Sequence, residues 1–167
     1  MSWAELVLLL VLAERLGELW LSRRNTERLL AQGAVEYGAA HYPWIVLLHA
    51  AWLAALILGH DPARPLNLYW LGLFGLLQLA RAWVMVSLGR LWTTRIISLA
   101  EAPLVVRGPY RYLRHPNYWV VVGELVVLPL ALGIWPVVAI FVPLKLLLLR
   151  ERIRIEDEAL AARRQAG

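Results

Sequence analysis

Long apolar runs decide what this chain can become. Residues 3–21, 43–59 and 66–88 are apolar with few charges, and each is close to the roughly 20 residues that an α-helix needs to cross a bilayer. A fourth apolar stretch, 118–149, is too long for one crossing. The turn residues of "LGIWP" at 132–136 interrupt it. It reads as a hairpin of two helices, about 118–132 and 135–150. The runs are continuous and lack the alternation of barrel strands, so each must pair its own backbone as a helix. The expected fold is an all-α integral membrane protein of about five transmembrane helices, forming a single domain over 1–167. Composition agrees, with 60% hydrophobic residues against the roughly 45–50% of a soluble domain.

The first run is not a leader by pattern. It lacks a basic start and a small-residue cleavage site, and Glu14, Arg15 and Glu18 interrupt its second half. It is expected to be a retained helix. The chain has no Cys, which excludes a disulfide framework and thiol chemistry.

Charge placement orients the helices. Of the 17 Lys and Arg, one group falls in the connections 22–42 and 89–117 and in the tail from 150. The opposite side holds only Arg64. Arg15, Arg81 and Lys145 lie within the spans, toward the basic ends. By the positive-inside rule the basic side is cytoplasmic, which places the N-terminus outside and the C-terminus inside. The net charge of +5 then reflects topology and attraction to anionic membrane lipids, and calls for no nucleic-acid partner.

One connection is unlike the others. "RGPYRYLRHPNY" (107–118) concentrates cationic and aromatic residues in a basic-side segment of about 30 residues, long enough to suggest function. Gly108 and Pro109 read as a turn into a short helix with Pro at its first position. Pro116 forces His115 out of the helical region, so His115, Asn117 and Tyr118 sit where the next helix begins. Such an N-terminus favours an anionic group. The plainer alternative is an interfacial anchor of Tyr and Arg at headgroup depth. The tail "RERIRIEDEAL" (150–160) sets Arg152 and Glu156, and Arg154 and Glu158, four apart on a helix face. Taken alone, these are exposed pairs of small energetic value.

Taken together, the two segments resemble a known family. "GPYR-x-x-RHP-x-Y", an apolar hairpin and then "RIR-x-E-[ED]-x-x-L" is similar to the isoprenylcysteine carboxyl methyltransferase family. The matching residues are Gly108, Pro109, Tyr110, Arg111, Arg114, His115, Pro116 and Tyr118, then Arg152, Ile153, Arg154, Glu156, Asp157 and Leu160. "LGRLWTTRI" (88–96) and "EYGAAHYP" (36–43) look like a short bacterial branch whose members accompany type III polyketide synthases and methylate alkylpyrones or alkylresorcinols.

The resemblance implies a membrane-embedded methyltransferase that uses S-adenosyl-L-methionine, with its cofactor-binding core over 88–160. Ala102, Pro103, Leu104, Val105, Tyr110, His115, Pro116, Asn117 and Tyr118 would line the cofactor site. Arg95 would approach it, and Glu156 would close it from the tail. Arg152 would face a lipophilic or prenylated acceptor, with a polyketide synthase as a possible neighbour. Asp157 stands where the family carries a second Glu, and the tail is shorter than the family's. No G-x-G-x-x-G occurs, which excludes a dinucleotide-type methyltransferase domain.

Intramembrane ionisable groups are the remaining candidates. Glu124 is a carboxyl inside an apolar span, costly unless functional or paired. It is read as catalytic, or else as a structural partner of Arg81 or Lys145. A phenolic acceptor would need a proton acceptor, for which Glu156, Glu124 and His49 are available. For His49 a helix–helix hydrogen bond is the stronger reading. Glu14, Arg15 and Glu18 are expected to form an internal ion cluster. The four His show no ligand spacing, so no metal is expected. A small transporter or a scaffold is the rival class. The chain has no inverted repeat and no pair of broken helices to support a transporter, and a scaffold leaves 107–118 unexplained.

Overall fold

The computed structural model of the chain describes residues 2–100 and 102–165, and the side chains as far as 161. Arg163 and Arg164 of the basic tail lie outside the described side chains. Five long helices run in chain order: α1 (Trp3–Ala31), α2 (Tyr42–Gly59), α3 (Leu68–Leu88), α4 (Pro116–Ala131) and α5 (Trp135–Gln165). Their starts follow local chemistry. Ser2 and Glu5 form a reciprocal capping box on α1. The Asn67 side chain accepts from the amides of Tyr69 and Trp70 to cap α3. Pro116 opens α4, with His115 outside helical geometry at φ −129° and ψ 60°, as the His-Pro step dictates.

The hairpin of α4 and α5 turns where "LGIWP" was expected to break the apolar stretch. Gly133 takes a positive φ of 73° there, and its carbonyl accepts from Arg64 at 2.9 Å. α5 runs without interruption from the apolar run into the charged tail. α1 likewise continues past its apolar half, ten residues beyond the expected end.

α4 is the central helix. It packs between α3 and α5, and α2 lies on α5. Leu125 and Leu128 of α4 and Leu56 of α2 are essentially fully buried, packed with Trp52, Phe74 and Val121. The outer surfaces are also apolar. Leu10, Leu16, Leu58, Leu79, Val86, Trp119 and Leu147 are all more than half exposed. So much exposed apolar surface suits hydrocarbon and would aggregate in water. α2, and α3 with its following turn (Leu68–Leu91), are long and apolar enough to cross a membrane. α4 is apolar but shorter, while α1 and α5 carry charges in their sequences.

The expectation of a purely helical fold needs one correction. Val35–Tyr37 (β1) pairs antiparallel with Ile96–Ser98 (β2), Glu36 opposite Ile97. Three-residue strands leave no readable alternation in a sequence. This pair ties the connection after α1 to the connection after α3, and α5 packs against both strands.

Candidate active site

The connection after α3 folds into a wall. Gly108 (φ +60°) turns the chain into a single 3-10 turn, Gly108–Arg111, that packs on α3. A Cβ at Gly108 would run into the Ser87 side chain, so only glycine fits there. Arg107 donates to the Ser87 carbonyl at 3.0 Å and pins the same turn. On the opposite side, Asn25 of α1 donates to the Trp92 carbonyl at 2.8 Å. The Ser22 hydroxyl accepts from the Thr94 amide at 2.8 Å. Segment 92–95 is thereby held against α1.

Behind this wall lies a cavity of about 260 Å³. Arg95, Leu104, Val105, Tyr110, His115, Asn117, Tyr118, Arg152 and Glu156 line it, bringing together residues from three separate segments. Arg114, Val106, Leu160, Trp92 and Thr93 are also among its lining residues. Ala102 and Pro103 lie in the same loop but are not lining residues. Pro116 is buried in the first turn of α4.

The polar end of the cavity is a linked set. The Tyr118 hydroxyl donates to Glu156 and accepts from Arg152 Nε at 3.0 Å. Arg152 also donates to the Thr94 carbonyl at 2.7 Å. His115 stacks on the Tyr118 ring, centroids 5.3 Å apart. Its ring nitrogens lie 3.6 Å from Glu156 and 3.6 Å from Asp157. Burial pushes the Glu156 carboxyl up, but its contacts with His115 and Tyr118, and then the Arg152 charge, hold it below the ordinary 4.5. Glu156 is therefore an anion. Burial, then the Glu156 charge, pushes the Tyr110 hydroxyl above its ordinary 10, so Tyr110 stays a neutral donor.

Arg152 and Glu156 do not form the exposed pair that their spacing alone suggests. Arg152 is buried, and the Tyr118 hydroxyl stands between the two. Arg154 does behave as a surface residue, donating to Glu151 and Glu158. Arg95 reaches the cavity while paired with Glu36 at 2.8 Å and lying over the Tyr42 ring.

A second cavity, about 300 Å³, lies among the helices. Its walls come from α1, α2 and α3, and from Val121 and Lys145 of α4 and α5. It shares Trp92, Thr93, Asn117, Tyr118 and Arg152 with the first. Sequence reading missed this chamber, because its residues are scattered over the chain and most are ordinary apolar ones. Thr94 and Tyr42 were missed for the same reason, although Tyr42 sits in the quoted "EYGAAHYP" stretch.

Glu124 lines neither cavity. Its carboxylate accepts from Arg81 at 2.9 Å and Gln78 at 2.9 Å, with Arg15 3.5 Å away. Arg81 and Arg15 also pair with Glu18. The cluster is a buried network of opposed charges, the paired form a span can tolerate. It matches the structural alternative for Glu124 and the expected grouping of Glu14, Arg15 and Glu18.

Residues 70–162 match the model of the isoprenylcysteine carboxyl methyltransferase family. The chain belongs to that family. The match takes in α4, the hairpin and every lining residue of the first cavity except Leu29 of α1. Two bacterial relatives extend the likeness to nearly the full length. An uncharacterized protein of Bacillus subtilis, YpbQ, is 34% identical over 96% of each chain. An uncharacterized protein of Haemophilus influenzae is 29% identical over 90% of this chain and 91% of its own. No solved structure matches. Family membership makes the chain a methyltransferase-family protein of the membrane.

Proposed function

We propose that this chain is an S-adenosylmethionine-dependent methyltransferase of the bacterial inner membrane that methylates an oxygen of a lipophilic acceptor. The carrying observation is the junction of two cavities at Asn117, Tyr118 and Arg152. One is ringed by the basic, aromatic connection; the other is walled by the helices.

The residues of the first cavity suit the methyl donor. The Glu156 carboxylate matches its ammonium, and Arg114 with the start of α4 matches its carboxylate. Leu104, Val105 and Tyr110 offer a face for the adenine. Asn117 Oδ1, buried without a hydrogen-bond partner among the described residues, supplies an acceptor facing both chambers. When bound, the donor supplies an electrophilic methyl group on a positively charged sulfur. The chain's part is to hold, orient and exclude water. Tyr118 fixes Glu156 on one side and Arg152 on the other, so the donor end and the acceptor end are set by one hydroxyl.

The second cavity suits the acceptor. Leu16, Leu19 and Val46 line it and are also exposed on the outer faces of α1 and α2, which offers a lateral path from the bilayer. A carboxylate acceptor, with a pKa of about 3.5, arrives ionised and needs only Arg152 for orientation. Isoprenylcysteine-like carboxylates are one acceptor class. Alkylpyrones or alkylresorcinols made by a neighbouring type III polyketide synthase are the other. The same reading assigns all five helices to the membrane, with the N-terminus outside and the first cavity on the cytoplasmic side.

The test is methyl transfer itself. Purified protein in detergent, given methyl-labelled donor, should label prenylcysteines, alkylpyrones or alkylresorcinols. A transporter or scaffold should label none of them.

A further inference from the structure

Two polar groups in the second cavity have no place in the mechanism so far. Lys145 is buried at 4% exposure, lines the cavity, and makes no hydrogen bond or ion pair among the described residues. The other charges buried among the spans are matched: Arg15 and Arg81 pair with Glu18 and Glu124, and Arg152 donates to the Tyr118 hydroxyl and the Thr94 carbonyl. Lys145 and Arg152 are seven residues apart on α5 and both face the same chamber. An unmatched buried cation costs stability, so a partner from outside the chain is the natural complement.

His49 is the second group. Its Nδ1 lies 3.1 Å from the Ile45 carbonyl oxygen. That oxygen can only accept, so Nδ1 carries the hydrogen. In the neutral ring Nε2 is then an unprotonated acceptor, and His49 lines the cavity. No hydrogen bond to Nε2 occurs among the described residues. The cavity thus offers an unprotonated nitrogen for a hydroxyl proton, and Lys145 and Arg152 as donors for the oxygen left behind.

We propose that His49 is the general base for an acceptor bearing an acidic hydroxyl, and that Lys145, with Arg152, holds the oxyanion that results. This inference rests on the methyltransferase reading and narrows its substrate class. The acceptor O–H proton passes to His49 Nε2. The oxygen pair forms the bond to the methyl carbon, the carbon–sulfur bond breaks, and its electrons stay on sulfur, which loses its positive charge. The imidazolium then returns its proton to water. Around His49, the charged and titratable groups of the cavity are Arg15 and Glu18 from α1, Tyr42 from α2, Arg81 from α3, Tyr118 from α4, and Lys145 and Arg152 from α5. Arg15, Glu18 and Arg81 balance within the Glu124 network, which leaves Lys145 and Arg152 to act on the bound anion.

Two measurements test this. The first needs no methyl donor. A long-chain nitrophenol, whose anion absorbs visible light, is bound to the full-length protein in detergent and titrated. Bound to the wild type, it should ionise at least one pH unit lower than in empty micelles, and Lys145→Met should remove most of that shift. A shift unchanged in Lys145→Met and in Lys145→Gln overturns the anion-holding role, whether or not methyl transfer is ever seen. The second uses methyl transfer to a long-chain phenol. His49→Asn should lower turnover on the order of 10²-fold at neutral pH, and the deficit should close as pH rises toward the phenol's own value of about 10. A deficit that stays constant with pH marks His49 as structural and overturns the base. Absent S-adenosylhomocysteine binding in the wild type would refute the methyltransferase reading separately, with the nitrophenol titration still deciding the cavity.

Discussion

Arg152 and Glu156 share one helix face and one bridging hydroxyl, yet they should fail differently. Arg152→Ala should lower turnover while largely keeping affinity for S-adenosylhomocysteine. Glu156→Ala should lose that affinity as well. Each removes a hydrogen-bonded charge from a partly dry site, at about 2–4 kcal/mol or roughly 30- to 1,000-fold in rate. Arg152→Lys should rescue only in part, because an ammonium cannot donate to Tyr118 and to the Thr94 carbonyl in the planar geometry of a guanidinium. Identical losses of both rate and affinity in the two alanine variants would refute this division of labour. Glu156 also sets a pH dependence. Its native value is depressed below 4.5, so its carboxylate contributes stability above 4.5, and that contribution is lost as pH falls through the native value. The thermal midpoint of Glu156→Gln should therefore lie below that of the wild type at neutral pH, and the gap should close in acid. A gap that is constant down to pH 3 would show that the carboxylate is not held by its native contacts.

Between residues and fold stand the elements that deliver the site, and here the sequence was unevenly informative. The five helices were legible because apolar length and the "LGIWP" turn are local signals. The start of α4 was legible because a proline constrains the residue before it. The strand pair β1 and β2 was not, since its register comes from the folding of two distant connections. The second cavity was not, since it is a gap between helices. The burial of Arg152 was hidden as well, because its spacing to Glu156 fits a solvated face equally well. The 3-10 turn at Gly108–Arg111 gives a test at this scale. Gly108→Ala puts a Cβ at positive φ and against Ser87, at about 1–2 kcal/mol. It should displace Tyr110 and weaken S-adenosylhomocysteine binding, and Ser87→Gly in the same chain should restore part of the affinity. Unaltered binding in the single variant would mean that the turn does not position the cavity.

For the whole molecule, orientation and chemistry must agree. The first cavity is built from the connections and the tail that carry most of the Arg, so a cytoplasmic donor can reach it only if that side is inside. A Cys introduced at 33 or at the exposed position 112 should react with a cytoplasmic reagent, and a Cys at 62 should not. Reaction at 62 from the cytoplasmic side would reverse the topology. The central claim is that the first cavity holds the methyl donor, and the most direct measurement is the affinity of purified full-length protein in detergent for S-adenosylhomocysteine. We expect one equivalent to bind the wild type, with affinity weakened on the order of 30-fold or more in Glu156→Gln and clearly reduced in His115→Ala and Tyr118→Phe, all three remaining folded. No binding to the wild type, or equal binding across all four proteins, would contradict it and return residues 107–118 to the role of an interfacial anchor.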